Sequence, residues 1–131
     1  MNSESPWTAE IGKWTPVHRA VEVGDYEALT VLLDAGADPD EMCFGLTLLT
    51  HAIDVEGDSH LQSGHPLNTA ATAILLAYGA DPRLPTEDGR PPLQVAQDYD
   101  HVLAERLLQR LLTSDPEPGP EGRKRTSGET A

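Results

Sequence analysis

The sequence is poor in cysteine, in aromatic residues and in positive charge. Cys43 is the one cysteine among 131 residues, which excludes an internal disulfide and a cysteine-based metal cluster and fits a reducing compartment. Only 5% of the residues are aromatic, so we expect a core of leucine, alanine, valine and isoleucine. A chain of this length predicts one small domain or one short repeat array.

Positive charge is scarce and unevenly placed. Nine basic residues stand against 22 acidic ones, for a formal charge of −13. This excess opposes binding to nucleic-acid phosphates or anionic membranes and favours a basic partner. The stretch between Arg19 and Arg83 has no lysine or arginine and holds 11 acidic residues. It either keeps the protein soluble or steers a basic partner toward this part of the chain, and both alternatives stay open.

Catalytic and targeting motifs are missing as well. The sequence has no glycine-rich phosphate loop, no G-x-S-x-G and no H-E-x-x-H, so we predict no enzyme activity and no cofactor. The first residues, MNSESPW, do not form a secretion signal. The most apolar stretch, residues 69–80, is too short for a membrane span. We therefore expect a soluble, cytoplasmic protein.

One short motif occurs twice. Residues 36–39 read Gly-Ala-Asp-Pro, and the same residues recur 43 positions later at 79–82. Each copy follows a leucine-containing stretch of helical character, and glycine followed by proline is a typical helix end. Upstream, Thr15 and Pro16 form a helix-start signal. Helices this short are marginal alone, so we expect them to stack on one another.

Together these motifs resemble the ankyrin repeat, which opens with T-P-L-H-x-A and closes with L-L-x-x-G-A-D. Residues 15–20 read Thr-Pro-Val-His-Arg-Ala, Gly24 follows, and Leu-Leu at 32–33 precedes Gly-Ala-Asp at 36–38. The resemblance implies an all-α solenoid of helix-turn-helix units with short hairpin loops. It also implies that His18 and the preceding threonine form structural hydrogen bonds that tie adjacent repeats together.

The resemblance extends in looser form along the chain. It divides the sequence into an N-terminal lead-in (1–11), three repeats (12–41, 42–84 and 85–112) and a tail (113–131) that we expect to be disordered because it lacks large apolar residues. The second repeat carries 11 extra residues, around 56–66, between its helices. We predict a mobile loop there, which serves as a partner-contacting protrusion.

The resemblance also implies where a partner binds, namely at the hairpin tips and the exposed positions of the first helices. Trp14 and Phe44 are the strongest anchors, although either alternatively packs between repeats. The candidate partner-binding residues are Trp14, Glu22, Val23, Phe44, Leu46, Asp54, Val55, Tyr78, Glu87, Asp88, Arg90, Asp98 and Tyr99.

The function that these observations favour is a monomeric, non-catalytic protein–protein interaction module with a basic protein partner. The alternative is an inhibitor or immunity-type protein that neutralises a basic enzyme such as a nuclease. An arginine excess of seven to two over lysine hints at a bacterial genome. A metal-dependent activity at Asp58, His60 and His65 is less favoured, because their spacing fits no standard metal site.

Overall fold

The computed structural model describes residues 14–114, which are mostly helical. A short antiparallel hairpin of β1 (Met42–Cys43) and β2 (Leu46–Thr47) interrupts the described helices. The helices come in three consecutive pairs: α1 (Pro16–Val23) with α2 (Tyr26–Asp34), α3 (Leu48–Ser63) with α4 (Ala70–Ala77), and α5 (Pro92–Asp98) with α6 (Val102–Ser114).

The helices pack in two rows. The first helices of the pairs contact one another, α1 against α3 and α3 against α5, while α2 contacts α4 in the second row. Four of the six described helices have nine residues or fewer, so they depend on these neighbours. The core joins all three pairs through leucine, alanine, valine and isoleucine, including Leu29, Ile53, Leu75 and Leu108, as the composition predicts.

The predicted helix signals act as expected. The Oγ1 atom of Thr15 accepts a hydrogen bond from the His18 backbone N–H at 3.2 Å, and Gly24 ends α1 in the left-handed conformation at φ 72°. The same device begins α3, where Thr47 and Thr50 form a reciprocal capping box with two N···O distances of 3.0 Å. Side-chain capping of this kind satisfies backbone N–H groups at helix starts.

The mobile loop predicted at 56–66 is largely wrong. Residues 56–63 continue α3 for two further turns, and Gly64 ends the helix at φ 69°. The irregular connection to α4 is therefore residues 64–69. Gly57 disfavours a helix on propensity alone, but Glu56 and Gly57 are both buried, and their packing outweighs that preference.

The last helix also runs further than expected. Thr113 and Ser114 belong to α6 rather than to a disordered tail, and the Thr113 hydroxyl donates to the Gln109 carbonyl at 2.7 Å. The rest of the tail, 115–131, and the N-terminal lead-in lie outside the described residues. Between residues 14 and 114, no helix is long and apolar enough to cross a membrane.

Candidate functional site

Two buried histidines join the first and second helix pairs. His18 on α1 is 0% exposed and His51 on α3 is 1% exposed, and their Nδ1 atoms lie 2.9 Å apart. The Nε2 atom of His18 lies 2.9 Å from the backbone carbonyl of Glu41. His18 thus contacts both the next helix pair and the segment that leads to it, which is the structural role that the ankyrin resemblance implies.

The hydrogen bonds of this pair determine which nitrogen of His18 carries the proton. A carbonyl oxygen only accepts, so Nε2 of His18 carries a proton. Burial lowers the pKa of His18 to about 4, so the ring is neutral at pH 7 and its Nδ1 accepts from the Nδ1–H of His51. The Nε2 atom of His51 lies 2.7 Å from Oε1 of Glu22. Glu22 therefore supports the fold as well as facing the surface.

Trp14 covers the histidine pair. Its ring centroid lies 4.5 Å from that of His51 and 5.7 Å from that of His18, with interplanar angles of 24° and 9°. Phe44 meets the indole edge-on at 4.9 Å and 86°, and 51% of Phe44 stays exposed. Trp14 therefore packs between the first two pairs, as the alternative held, whereas Phe44 presents an apolar ring to the surface.

A cavity of about 450 Å³, here named the Trp14 pocket, lies beside this stack. It brings together predicted partner-binding residues from α1, β2 and α3. Two residues of the extended part of α3, Asp58 and Ser59, add to its wall. The lining residues are Trp14, Glu22, Leu46, His51, Asp54, Val55, Asp58 and Ser59.

Asp54 connects this pocket to the third helix pair. Burial raises the pKa of Asp54, and the neighbouring charges of Asp58 and Glu22 raise it further, although a hydrogen bond from Tyr99 opposes them. The effect on the partner is similar, since burial and the charge of Asp54 raise the pKa of Tyr99 to about 12. Asp58 and Glu22 thus lie close enough to Asp54 in this pocket to oppose the ionisation of Asp54.

Gly57 permits the third pair to pack closely on α3. A Cβ atom at position 57 would lie 2.5 Å from the Cβ of Tyr99 and 3.4 Å from its backbone oxygen. Real Cβ contacts are not this short, so Tyr99 fits only against a glycine. Tyr99 was predicted as a partner contact, and its packing on Gly57 gives it a structural role too.

Glu56 has a structural role that was not predicted from the sequence. This carboxylate is 5% exposed and accepts hydrogen bonds from the backbone N–H and the hydroxyl of Thr72, at 3.1 and 2.7 Å, and from Nε2 of His101 at 2.8 Å. It therefore joins α3 to α4 and to the start of α6. Glu56 lies three residues after Ile53, so the two share the apolar face of α3 if the helix continues past residue 55. That spacing was the available signal for its burial.

A second cavity of about 440 Å³, here named the hairpin pocket, lies between the tip of the β-hairpin and the turn before α5. The Glu87 backbone N–H donates to the Gly45 carbonyl at 2.8 Å and joins the two tips. Leu46 lines both this pocket and the Trp14 pocket. We call the combined surface the two-pocket face. The hairpin pocket is lined by Phe44, Gly45, Leu46, Thr86, Glu87, Asp88 and Arg90.

The basic residue of the hairpin pocket is already paired. Arg90 lies 3.1 Å from a carboxylate oxygen of Asp98 and 3.4 Å from one of Asp88. Asp98 also accepts from the Gln94 side chain at 3.0 Å. Hydrogen bonds from Thr86 and Arg90 hold the pKa of Asp88 below its ordinary value. The positive charge of Arg90 is therefore balanced by carboxylates of the same chain.

Four predicted partner-binding residues line neither pocket, namely Val23, Tyr78, Asp98 and Tyr99. Asp98 and Tyr99 contact the face only through Arg90 and Asp54. Val23 lines a separate cavity beside Arg19 and Leu32. The hydroxyl of Tyr78 donates to Asp34 at 2.5 Å and links the ends of α4 and α2 in the second row of helices. Val23 and Tyr78 are both exposed, but alignment to a repeat position does not determine which surface they face.

The three candidate metal ligands make other contacts. Asp58 accepts from the Gln62 side chain at 2.9 Å, and Nδ1 of His60 donates to the backbone carbonyl of His65 at 2.7 Å. In the part of the chain that the structure describes, no group of three or more histidine, cysteine, aspartate or glutamate residues is arranged to hold a metal ion.

Comparison with known protein families finds a match in the region of the first helix pair. The family model of the ankyrin repeat matches residues 12–43. Residues 12–43 therefore match an ankyrin repeat. The chain is similar to the human ankyrin repeat and SOCS box protein 14, at 46% identity over 41 residues, which is 31% of this chain and 7% of that protein. Ankyrin repeats generally mediate protein–protein interaction and are typically non-catalytic.

Proposed function

We propose that this chain is a non-catalytic binding module that holds a basic protein on the two-pocket face. The observation that carries the proposal is the unbalanced charge of that face. The Trp14 pocket holds three carboxylates beside His51, which already bonds Glu22. The hairpin pocket adds two more carboxylates beside the paired Arg90. A basic partner would supply the missing positive charge.

We further infer that the three helix pairs are three repeats, with bounds at 12–41, 42–84 and 85–112, in a solenoid. Three features support this reading. The first helices pack in chain order, equivalent threonine caps begin α1 and α3, and a hydrogen bond joins the hairpin tip to the next turn. Such an array presents neighbouring first helices and tips as one surface, which is where a partner docks.

The proposal includes the setting of the molecule. A half-buried free thiol at Cys43 suits a reducing cytoplasm, and we propose a monomer there. A more specific version is an inhibitor or immunity-type protein whose partner is a basic enzyme such as a nuclease. An acidic face favours it, because an enzyme surface built to hold nucleic-acid phosphates is basic. The identity of the partner decides between these two versions.

The test is a capture experiment with matched variants. Wild-type chain, a double variant Asp54→Asn and Asp58→Asn, and a control Glu27→Gln and Asp100→Asn are each used to capture partners from source-cell lysate. Both double variants remove two negative charges, but the control positions do not line either pocket. We expect one basic protein to bind the wild type and the control and to be lost from the pocket variant. Equal capture by all three would overturn the proposal.

A further inference from the structure

We propose that the two-pocket face binds a short segment in which a bulky apolar residue is flanked on both sides by arginine or lysine. This inference rests on the proposed function and adds the chemistry of the segment that the partner presents. It follows from the order of apolar and acidic side chains along the face, which is acidic, then apolar, then acidic.

The junction of the two pockets is apolar. Leu46 lines both cavities. Phe44 lines the hairpin pocket and also contacts Trp14 of the other pocket edge-on. Phe44 is half exposed, and its φ of 54° is one that side-chain-bearing residues seldom adopt. An aromatic ring that is held at the surface in this way offers apolar area to an apolar side chain of the partner.

Acidic residues lie on either side of that junction. Asp54 and Asp58 line only the Trp14 pocket, whereas Glu87 and Asp88 line only the hairpin pocket. Burial raises the pKa of Asp54 most, and the neighbouring charges of Asp58 and Glu22 raise it further. A cation placed there relieves the repulsion among these three carboxylates. On the other side, Arg90 is paired with Asp88 and Asp98, which leaves Glu87 without an opposing charge inside the hairpin pocket.

The two cavities are similar in volume, about 450 and 440 Å³, and they share a wall at Leu46. A segment that places its apolar residue at Leu46 and Phe44 therefore extends its neighbours in both directions into acidic surroundings. A segment with basic residues on one side only would satisfy one pocket. The arrangement selects for the flanked pattern, since both ends contribute favourable electrostatics.

The experiment measures fluorescence anisotropy of a labelled peptide Arg-Arg-Gly-Phe-Gly-Arg-Arg with the purified full chain. Two comparison peptides carry serine in place of phenylalanine, or glutamines in place of one arginine pair. We expect each comparison peptide to bind about tenfold more weakly than the parent, which corresponds to about 1.4 kcal/mol. The variants Phe44→Ala and Glu87→Gln each weaken the parent peptide severalfold, and the control Glu27→Gln does not.

Two outcomes overturn the inference and separate it from the proposed function. If the serine peptide binds as tightly as the parent, and both weaken equally with Asp54→Asn and Asp58→Asn, the face binds basic chains without the flanked pattern. The proposed function then stands and this inference fails. If the parent peptide does not bind below about 1 mM, the inference also fails, and capture from lysate decides the proposed function independently.

Discussion

His18 and His51 share a hydrogen bond between their Nδ1 atoms at 2.9 Å, and this contact joins α1 to α3. It belongs to a chain of contacts that runs from the Glu41 carbonyl through both rings to the Glu22 carboxylate. Trp14 covers the two rings on one side. The fold and the candidate binding surface therefore share residues here, so stability and binding must be measured separately for any change in this region.

The buried His18 makes stability depend on pH. Its pKa is about 4 in the folded chain and 6.5 when exposed, so between these values the unfolded chain binds more protons than the folded chain. The free energy of unfolding therefore falls as the pH drops from 6.5 toward 4, by at most about 3 kcal/mol from this group. Urea unfolding followed by circular dichroism at pH 7, 5.5 and 4 measures the change. A His18→Gln variant should show a flatter dependence, and an unchanged slope would contradict this assignment.

Substitution of Gly57 tests the close packing of the third helix pair. Alanine is favoured over glycine in a helix by up to about 1 kcal/mol, but its Cβ at position 57 would lie 2.5 Å from that of Tyr99. We expect Gly57→Ala to destabilise the chain by about 1–3 kcal/mol, the usual cost of overpacking. Thermal unfolding measures it beside Ser63→Ala on the same helix. A Gly57→Ala variant more stable than wild type would show that the contact is not made.

Loss of the Glu56 carboxylate tests the second link between pairs. Glu56→Ala leaves the buried donors of Thr72 and His101 without their acceptor, and we expect a loss of about 3 kcal/mol. Asp58→Ala removes a more exposed carboxylate from the same helix and should cost about 0.5 kcal/mol or less. Chemical denaturation of both variants gives the comparison. Equal effects would mean that Glu56 acts only as part of a charged surface.

Trp14 and Phe44 should separate binding from stability. Phe44 is half exposed, so Phe44→Ala is expected to leave the unfolding midpoint within a few degrees of wild type while weakening partner binding. Trp14 covers both histidines, so Trp14→Ala is expected to lower stability as well as affinity. Thermal unfolding and binding titration on the same preparations measure both quantities. A Phe44→Ala variant that unfolds would place Phe44 in the fold rather than at the partner interface.

Local signals in the sequence were sufficient for the first helix pair. The Thr15 cap and the end of α1 at Gly24 depend on neighbours within one helix, so a single sequence carries them. The structural role of His18 was expected from the ankyrin resemblance, and it depends on contacts with His51 and Glu41 further along the chain. The core of leucine, alanine, valine and isoleucine was predicted from the low aromatic content alone.

Long-range packing accounts for what was missed. The two additional turns of α3 depend on burial of Glu56 and Gly57 against partners that lie far along the chain, His101 and Tyr99. Spacing alone suggested a loop, because glycine and polar residues are common in loops. Val23 and Tyr78 lie away from the two-pocket face, which the sequence could not indicate, since repeat position does not identify the surface that a side chain faces.

The central claim is that the carboxylates of the two-pocket face bind a basic partner. The most direct test is the affinity of the captured partner for three purified chains at low and high salt: wild type, Asp54→Asn with Asp58→Asn, and Glu27→Gln with Asp100→Asn. We predict that the pocket variant binds at least about tenfold more weakly at low salt, that the control binds as wild type, and that high salt reduces the difference. Equal affinity of the pocket and control variants would contradict the account.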